Sequence, residues 1–197
     1  MKQIKLLFLL ASASVTGVFA QSNGLTDMSQ SRHAKMANTG INAVHWTNGF
    51  WGERFNVFSR HSLQGMWNTW KNPDVSHGFR NFEIAAGECE GTHWGPPFHD
   101  GDMYKWLEGV AAVYAVNHDP ELDELMDYFI ARVVKAQRAD GYIHTPVIID
   151  EKNKGIDTHA VANKQTVIGT KVGAENEKGA FANRLNFETY NLGHLMM

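Results

Sequence analysis

The chain has 197 residues, a formal net charge of −3 and 43% hydrophobic residues. That length is enough for one ordinary domain with a sizeable core, and a mild negative charge without a basic stripe argues against a nucleic-acid partner. The single cysteine, Cys89, excludes an internal disulfide framework.

The aromatic content is the most informative part of the composition. Six tryptophans, five tyrosines and eleven phenylalanines occur beside ten histidines. Such a mixture suits a carbohydrate partner, because sugar rings stack on apolar faces while their hydroxyls need hydrogen-bond partners. A well-packed aromatic core explains the same composition, so both interpretations stay open at this point.

Residues 1–20 have the features of a Sec signal peptide. Lys2 and Lys5 precede an apolar stretch, which ends in the small-x-small sequence VFA at Ala20. This pattern predicts an exported protein, periplasmic or secreted, that is cleaved near Ala20. No later apolar run approaches the roughly 18 residues that cross a bilayer, so no membrane association is expected after cleavage. The polar residues 21–44 are predicted to form an N-terminal lead-in.

The folded domain is expected to begin near residue 45. The sequence HWTNGFWGERF places aromatic residues around two glycines, which indicates a turn that leads into a helix. Apolar residues then recur at steps of three and four over residues 53–70, which is helical spacing, and KNPD ends the pattern. A short helix is predicted at 79–88, followed by a Gly/Pro loop that contains Trp94.

Two longer helices are predicted at residues 102–117 and 120–138, each with one apolar stripe. Asp102 is well placed as the N-cap of the first helix, and Asp119, followed by proline, as the N-cap of the second. Gly141 is expected to terminate the second helix in a left-handed conformation. Because their connection is very short, the two helices should form an antiparallel hairpin.

The last third of the chain is less regular. The sequence YIHTPVIID predicts a short β-like segment at residues 142–150. Residues 151–183 are polar and Gly-rich, which predicts a long surface loop, and a last helix should begin near residue 184. Repeated helical hairpins without a heptad or a short fixed repeat indicate an all-α fold, a partial (α/α)6 toroid built from helical hairpins and incomplete in this chain.

Several stretches occur in a fixed order that is specific in combination. They are RNFEIAAGE, FHDGDMYKWLEG, NHDPELDELMDYFIARVVKAQRADGYIHTP and NFETYNLGHLM. Together they resemble the N-terminal part of glycoside hydrolase family 127, the β-L-arabinofuranosidase-like enzymes. The resemblance runs from about Trp46 to Met197, and it implies that residues 45–197 are the N-terminal part of an (α/α)6 catalytic domain.

The resemblance also implies an activity. It points to a retaining exo-glycosidase that removes terminal sugars, β-L-arabinofuranose-like, from plant pectic or arabinose-containing glycans. In the family, a cysteine nucleophile is held on zinc by further cysteines and a glutamate, and a second glutamate is the acid/base. These residues lie downstream in the family, so no catalytic residue, metal site or cofactor is expected in this chain, and the isolated chain is expected to be inactive. Cys89 lies too early to be the nucleophile.

Five residues are candidates for substrate binding: Trp94, Asp100, Asp102, His144 and Glu188. Trp94 lies in a loop where its ring could stack on a sugar, whereas the other tryptophans are mostly core candidates. Asp100 and Asp102 either face a sugar pocket or are structural, the first as a brace of the preceding loop and the second as a helix cap. His144 is either an ordinary loop histidine or a residue of the barrel mouth. Glu188 is either a substrate contact or a structural helix residue.

Phe187 stands where the resemblance implies a histidine of the sugar pocket. The change removes a hydrogen-bond donor and adds an apolar wall, which predicts an altered preference, for an acidic or a deoxy sugar. Cys89, His93 and His99 have a spacing that allows an alternative zinc site, although the family holds its zinc elsewhere.

Two other functions fit parts of the sequence. A non-catalytic carbohydrate-binding module fits the aromatic and histidine-rich loops. An unsaturated glucuronyl hydrolase or a polysaccharide lyase shares the α/α toroid and can use aspartate and histidine without zinc. Loss of activity in Asp102→Asn together with resistance to zinc chelation would distinguish this last class from family 127.

Overall fold

The computed structural model of the chain describes residues 28, 30–36, 38–154, 180–181 and 187–196. It divides into two compact units, Met1–Gly40 and Ile41–Met197. In the first unit, the backbone N–H of Ser31 donates to the carbonyl of Met28 in a turn. The signal peptide and most of the loop predicted at 151–183 lie outside the described residues. No helix in the described ranges is long and apolar enough to cross a membrane.

Helices make up all of the regular structure in the described residues, which confirms the all-α prediction. In chain order they are a 3-10 turn (Ile41–Ala43), α1 (Gly49–Val57), a π-helical turn (Phe58–Ser62), α2 (Leu63–Lys71), α3 (Gly78–Ala85), α4 (His99–Asn117), α5 (Pro120–Ala136), α6 (Thr145–Lys152) and α7 (Glu188–Leu195).

α1, the π-helical turn and α2 form one continuous helical stretch, because the junction residues Val57 and Leu63 keep right-handed helical angles. The helix predicted at 53–70 is therefore confirmed. It starts earlier, at Gly49, whose φ of 70° is a left-handed value that glycine adopts without a steric cost.

The prediction that the tryptophans are mostly core residues is wrong for two of them. Trp46 and Trp51 are 57% and 65% exposed, whereas Trp67 and Trp106 are buried. The difference follows from the fold, because the aromatic core is built by α2 to α5 and the N-terminal end of α1 lies outside it.

Aromatic side chains join α2 to α5 in this core. Trp67 of α2 stacks on Trp106 of α4, with 4.9 Å between ring centroids, and meets Phe79 of α3 edge-on at 4.8 Å. Phe129 of α5 packs edge-on against Phe82 of α3 at 5.0 Å. Full burial of one such apolar side chain contributes about 1.5–3 kcal/mol to stability. These contacts fix the helices on which the buried polar residues stand.

α4 begins at His99, three residues before the predicted start, so the prediction that Asp102 is its N-cap is wrong. The cap position is Phe98, whose side chain has no acceptor, and the backbone N–H of Asp102 donates to the Phe98 carbonyl at 3.3 Å. Asp102 instead forms an ion pair with Lys105 one turn further on, at 3.1 Å.

α5 starts as predicted. Asp119 Oδ1 accepts the backbone N–H two residues ahead at 3.0 Å, and Pro120 occupies the first helical position. The helix ends at Ala136, two residues before the predicted end. Gly141 does adopt a left-handed φ of 88°, but its N–H donates to the carbonyl of Arg138 in a turn beyond the helix. It therefore shapes the loop between α5 and α6 and does not cap α5.

The β-like prediction for residues 142–150 is wrong, because Thr145–Lys152 forms α6. His144 is extended and Pro146 lies in the first turn, which is typical of a helix start. β-branched residues favour strands where they fit a pleated, half-buried surface. Here Val147, Ile148 and Ile149 are all buried within the helical fold, so tertiary burial outweighs their intrinsic preference.

α7 begins at Glu188. The preceding residue, Phe187, has left-handed backbone angles, φ 60° and ψ 23°. That conformation costs an L-residue roughly 1–2 kcal/mol, so the packing of α7 must hold it in place. Residues 182–186, where this helix was predicted to begin, lie outside the described residues.

Candidate functional site

Asp100 is the centre of a buried polar cluster, with a side chain that is 1% exposed. The backbone N–H of Thr145 donates to Oδ2 at 2.7 Å, and the Thr145 hydroxyl donates to Oδ1 at 2.6 Å. His144 Nδ1 lies 3.4 Å from Oδ2. Burial alone would raise the pKa of Asp100, but the hydrogen bonds from His144 and Thr145 outweigh burial and lower it. One carboxylate thus holds the N-terminus of α6 against the start of α4.

Asn191 of α7 closes the cluster from another side and is also buried. Its Oδ1 accepts the N–H of Gly101 at 3.1 Å, and its Nδ2 donates to the carbonyl of Pro97 at 2.9 Å. The same Nδ2 lies 3.3 Å from His144 Nδ1. A Cβ added at Gly101 would lie 2.6 Å from Asn191 Oδ1, so the absence of a side chain there lets α7 approach α4.

Four histidines have a buried ring nitrogen without a partner among the described residues: His77 Nδ1, His93 Nε2, His99 Nδ1 and His144 Nε2. Burial lowers the pKa of His77 and of His99, and it lowers the pKa of His93 to about 3 against the opposing charge of Asp100. These three imidazoles are neutral at pH 7 and carry one donor and one acceptor nitrogen each. Such groups can bind hydroxyls or ordered water.

Trp94 lies beside the histidines on a loop that is fixed by a buried asparagine. Asn81 Nδ2 donates to the Trp94 carbonyl at 2.9 Å, and the Trp94 N–H donates to Asn81 Oδ1 at 3.2 Å. The indole packs at a tilt against His77, with 4.9 Å between ring centroids. The side chain is partly buried, and its role in stacking on a sugar stays a prediction.

Glu188 is a second buried acid, one turn before Asn191 on α7, and it is 7% exposed. Its Oε1 accepts hydrogen bonds from the Tyr142 hydroxyl and from the N–H of Phe181, the latter at 2.7 Å. Burial raises the pKa of Tyr142, and its hydrogen bond to Glu188 raises it further. The tyrosine is therefore the donor. Both residues line a cavity of about 420 Å³ beside the loop between α5 and α6.

A comparison with known families identifies the family of the chain. The family described as "Beta-L-arabinofuranosidase, GH127 catalytic domain" matches residues 43–197. The chain belongs to glycoside hydrolase family 127. The resemblance inferred from the sequence motifs is confirmed.

Three relatives illustrate the match. The "Non-reducing end beta-L-arabinofuranosidase" of Bifidobacterium longum subsp. longum is 44% identical over 71 residues, 36% of this chain and 11% of the relative. A solved "Glycoside hydrolase" is 55% identical over 89% of this chain and 18% of its own, with a TM-score of 0.50. A solved GH127 β-L-arabinofuranosidase from Geobacillus stearothermophilus T6 is 31% identical over 77% of this chain and 21% of its own, with a TM-score of 0.58.

The family 127 chain described here thus spans 11–21% of the length of these relatives. Its all-helical architecture is that of a partial helical toroid, as predicted. The candidate site lies where the first turns of α4, α6 and α7 meet.

Zinc, which the family 127 resemblance implies, does not fit the described residues. They contain no group of three or more His, Cys, Asp or Glu side chains that could hold a metal ion. Cys89, His93 and His99, considered as an alternative zinc site, do not converge on such a group. Burial also raises the pKa of the Cys89 thiol, which disfavours the thiolate that zinc binds. Zinc in the whole family 127 enzyme stays a prediction.

Asp102 does not join Asp100 in this family 127 chain. Its carboxylate pairs with Lys105, whose ammonium also donates to the Tyr190 hydroxyl. Phe187 packs edge-on between two rings, with centroid distances of 5.6 Å to Phe98 and 6.0 Å to Tyr190. The three rings are 38–42% exposed, so Phe187 does form part of an apolar, partly open surface.

The candidate residues divide into three groups. Asp100 and His144 meet in one buried cluster, with Trp94 nearby. Glu188 lines the cavity next to α7. Asp102 forms a partly exposed ion pair with Lys105. Sequence analysis did not predict the roles of Asn191, Thr145 and Tyr142. The Thr-Pro pair at 145–146 was a usable signal for a helix start. No local pattern marks Asn191, which acts through contacts 90 and more residues away.

Proposed function

We propose that the chain is part of an exported glycoside hydrolase that removes terminal β-L-arabinofuranose-like sugars from plant pectic or arabinose-containing glycans. The observation that carries this proposal is the match of residues 43–197 to the GH127 catalytic domain. Two of the relatives are named as β-L-arabinofuranosidases, which supports the same substrate class. A carbohydrate partner also fits the neutral histidines and partly exposed aromatic rings of the candidate site.

In this proposal the chain contributes groups that hold and orient the sugar. The imidazoles with an unpartnered ring nitrogen offer donors and acceptors that suit hydroxyl groups, and the neighbouring rings offer apolar faces. The chain has one cysteine, whereas the family chemistry uses several together with zinc. We therefore infer that the 197-residue chain does not hydrolyse glycosides by itself.

A chimera tests the function directly. The matching segment of the Geobacillus stearothermophilus enzyme is replaced by residues 43–197 of this chain, and hydrolysis of p-nitrophenyl β-L-arabinofuranoside is measured. We expect turnover within about 100-fold of the parent, because small displacements of substrate-positioning groups cost up to that factor. The 197-residue chain, assayed with added zinc, should show none. A chimera that melts cooperatively but has no activity would overturn the proposal, and turnover by the short chain would overturn the inferred inactivity.

Export is a separate part of the proposal, supported by the signal-peptide pattern of residues 1–20. Expression of the full chain in a Gram-negative host should give a periplasmic product that begins at Gln21, as measured by intact mass and N-terminal sequencing. Ala20→Phe places a bulky residue where cleavage needs a small one, and it should leave the precursor uncut. A wild-type product that keeps Met1 and stays in the cytoplasm would refute export.

A further inference from the structure

The cavity beside Glu188 has the features of a built ligand site. Its volume of about 420 Å³ lies in the range of roughly 300–1,000 Å³ that is typical of small-molecule pockets. Its wall combines the loop between α5 and α6, which supplies Asp140 and Tyr142, with Phe181, Glu188 and Leu192. Acidic, hydroxyl and aromatic groups are thus collected around one opening.

The Glu188 carboxylate is fixed in this wall by its two donors. The Tyr142 hydroxyl and the Phe181 backbone N–H both donate to Oε1. Within the described residues, both of these hydrogen bonds fall on the same oxygen, and the other oxygen, Oε2, is not used by them. A carboxylate held in one orientation by hydrogen bonds is pre-organised to accept further hydrogen bonds from a ligand.

An open aromatic face stands beside this acid. The Phe181 ring is 61% exposed and meets the Tyr142 ring edge-on, with 5.5 Å between centroids. Leu192 is 37% exposed on the same cavity. An aromatic ring next to hydrogen-bond acceptors is the combination that binds a sugar, whose ring has an apolar face and an edge of hydroxyls.

The charges around the cavity decide which sugars fit. Among the described residues of the lining, Asp140 and Glu188 carry carboxyl groups, and the backbone N–H of Tyr142 lowers the pKa of Asp140, which is therefore ionised at pH 7. Among the described residues, Arg138 pairs with Asp140 at the rim and with Glu151, so its charge is already balanced. A ligand carboxylate would therefore meet like charge, which disfavours binding. Neutral hydroxyls would meet acceptors.

We propose that this cavity is a subsite for one neutral monosaccharide unit, with the ring on Phe181 and hydroxyls donating to Glu188, and that it rejects uronic acids. The inference rests on the proposed function only for the carbohydrate nature of the ligand. It assigns a preference to a part of the molecule separate from the cluster around Asp100. This preference for a neutral sugar differs from the preference for an acidic sugar that was predicted from Phe187.

The test is a titration of the isotopically labelled 197-residue chain, followed by NMR, with L-arabinose and with D-galacturonate. L-Arabinose should bind with a dissociation constant on the order of 1 mM. D-Galacturonate should bind at least about tenfold more weakly, which corresponds to 1.4 kcal/mol of discrimination. Equal affinities, or tighter binding of galacturonate, would overturn the proposal.

Two variants locate the binding. Phe181→Ala should reduce L-arabinose affinity by about fivefold without lowering the melting temperature, because the ring is exposed and stacking of this kind is worth about 1 kcal/mol. Phe50→Ala removes an equally exposed ring, 59%, outside the cavity, and should leave the affinity unchanged. Glu188→Gln keeps the shape but removes the charge, so galacturonate should gain affinity relative to arabinose. No change in either cavity variant would exclude this cavity as the binding site.

The chimera separates this inference from the proposed function. If the chimera hydrolyses the arabinofuranoside and Phe181→Ala leaves its KM unchanged, the subsite proposal is wrong and the proposed function still stands. Selective binding of L-arabinose by the short chain, combined with a folded but inactive chimera, would support the subsite and remove the glycosidase assignment.

Discussion

Replacing Asp100 by alanine should lower the free energy of unfolding by about 3–5 kcal/mol, the range found when one partner is removed from a buried charged network. The carboxylate accepts two hydrogen bonds from Thr145 and lies 3.4 Å from His144 Nδ1. Its loss would leave the donors of Thr145 buried and unpaired at the start of α6. The N-terminus of that helix would also lose the negative charge that stabilises it.

Urea unfolding followed by circular dichroism measures this effect. Asp102→Ala is the matched control, since it removes an aspartate two residues away on the same helix. The Asp102 side chain is 31% exposed and its ion pair with Lys105 is of the surface kind, so the control should cost at most about 1 kcal/mol. Similar losses in the two variants would contradict the central role that the contacts give to Asp100.

From the sequence, Asp100 and Asp102 are both candidates for substrate binding, and no pattern shows which of them is buried. Both lie in the first turn of an amphipathic helix, and capping rules favour Asp102 because it borders the apolar stripe. The actual start at His99 depends on the Pro-Pro loop and on contacts with residues far away in the chain. Asp100 becomes the buried member because α6 and α7 approach it, and no local pattern contains that information.

The helices themselves were largely predictable, and the failures have physical causes. α5 has a cap, a proline and a clear stripe, and its start was predicted at the correct residue. The first five residues of α6 are all buried, so this part of the helix shows no period of 3.6, and its β-branched residues imitate a strand. Trp46 and Trp51 look like core residues by type, but the decision between core and surface depends on the packing of the other helices.

The pH dependence of stability follows from the histidines around Asp100. Burial lowers the pKa of His93 to about 3, and it also lowers the pKa values of His77 and His99. In the unfolded chain a histidine titrates near 6.5. Below that pH the unfolded state binds protons that the native state does not, so the native state loses stability as the pH falls. Asp100 affects stability at lower pH. Because its pKa is lowered in the folded chain, the stability that it contributes is present above about pH 3.9 and is lost only in stronger acid.

Between pH 6.5 and 4.5 the free energy of unfolding should therefore fall by about 2–3 kcal/mol through His93 alone, at roughly 1.4 kcal/mol for each pH unit. Urea unfolding at several pH values measures the slope, and His93→Leu should reduce it by about one proton. His61→Leu, at an exposed position of the π-helical turn, controls for the loss of a histidine as such.

A wild-type slope near zero over this window would mean that the imidazoles are hydrated or already paired. An unchanged slope in His93→Leu would assign the protons to another group. The acids that face His93 offer no alternative in this range, since Asp100 already titrates below it, so a slope that His93→Leu removes can only come from the buried ring.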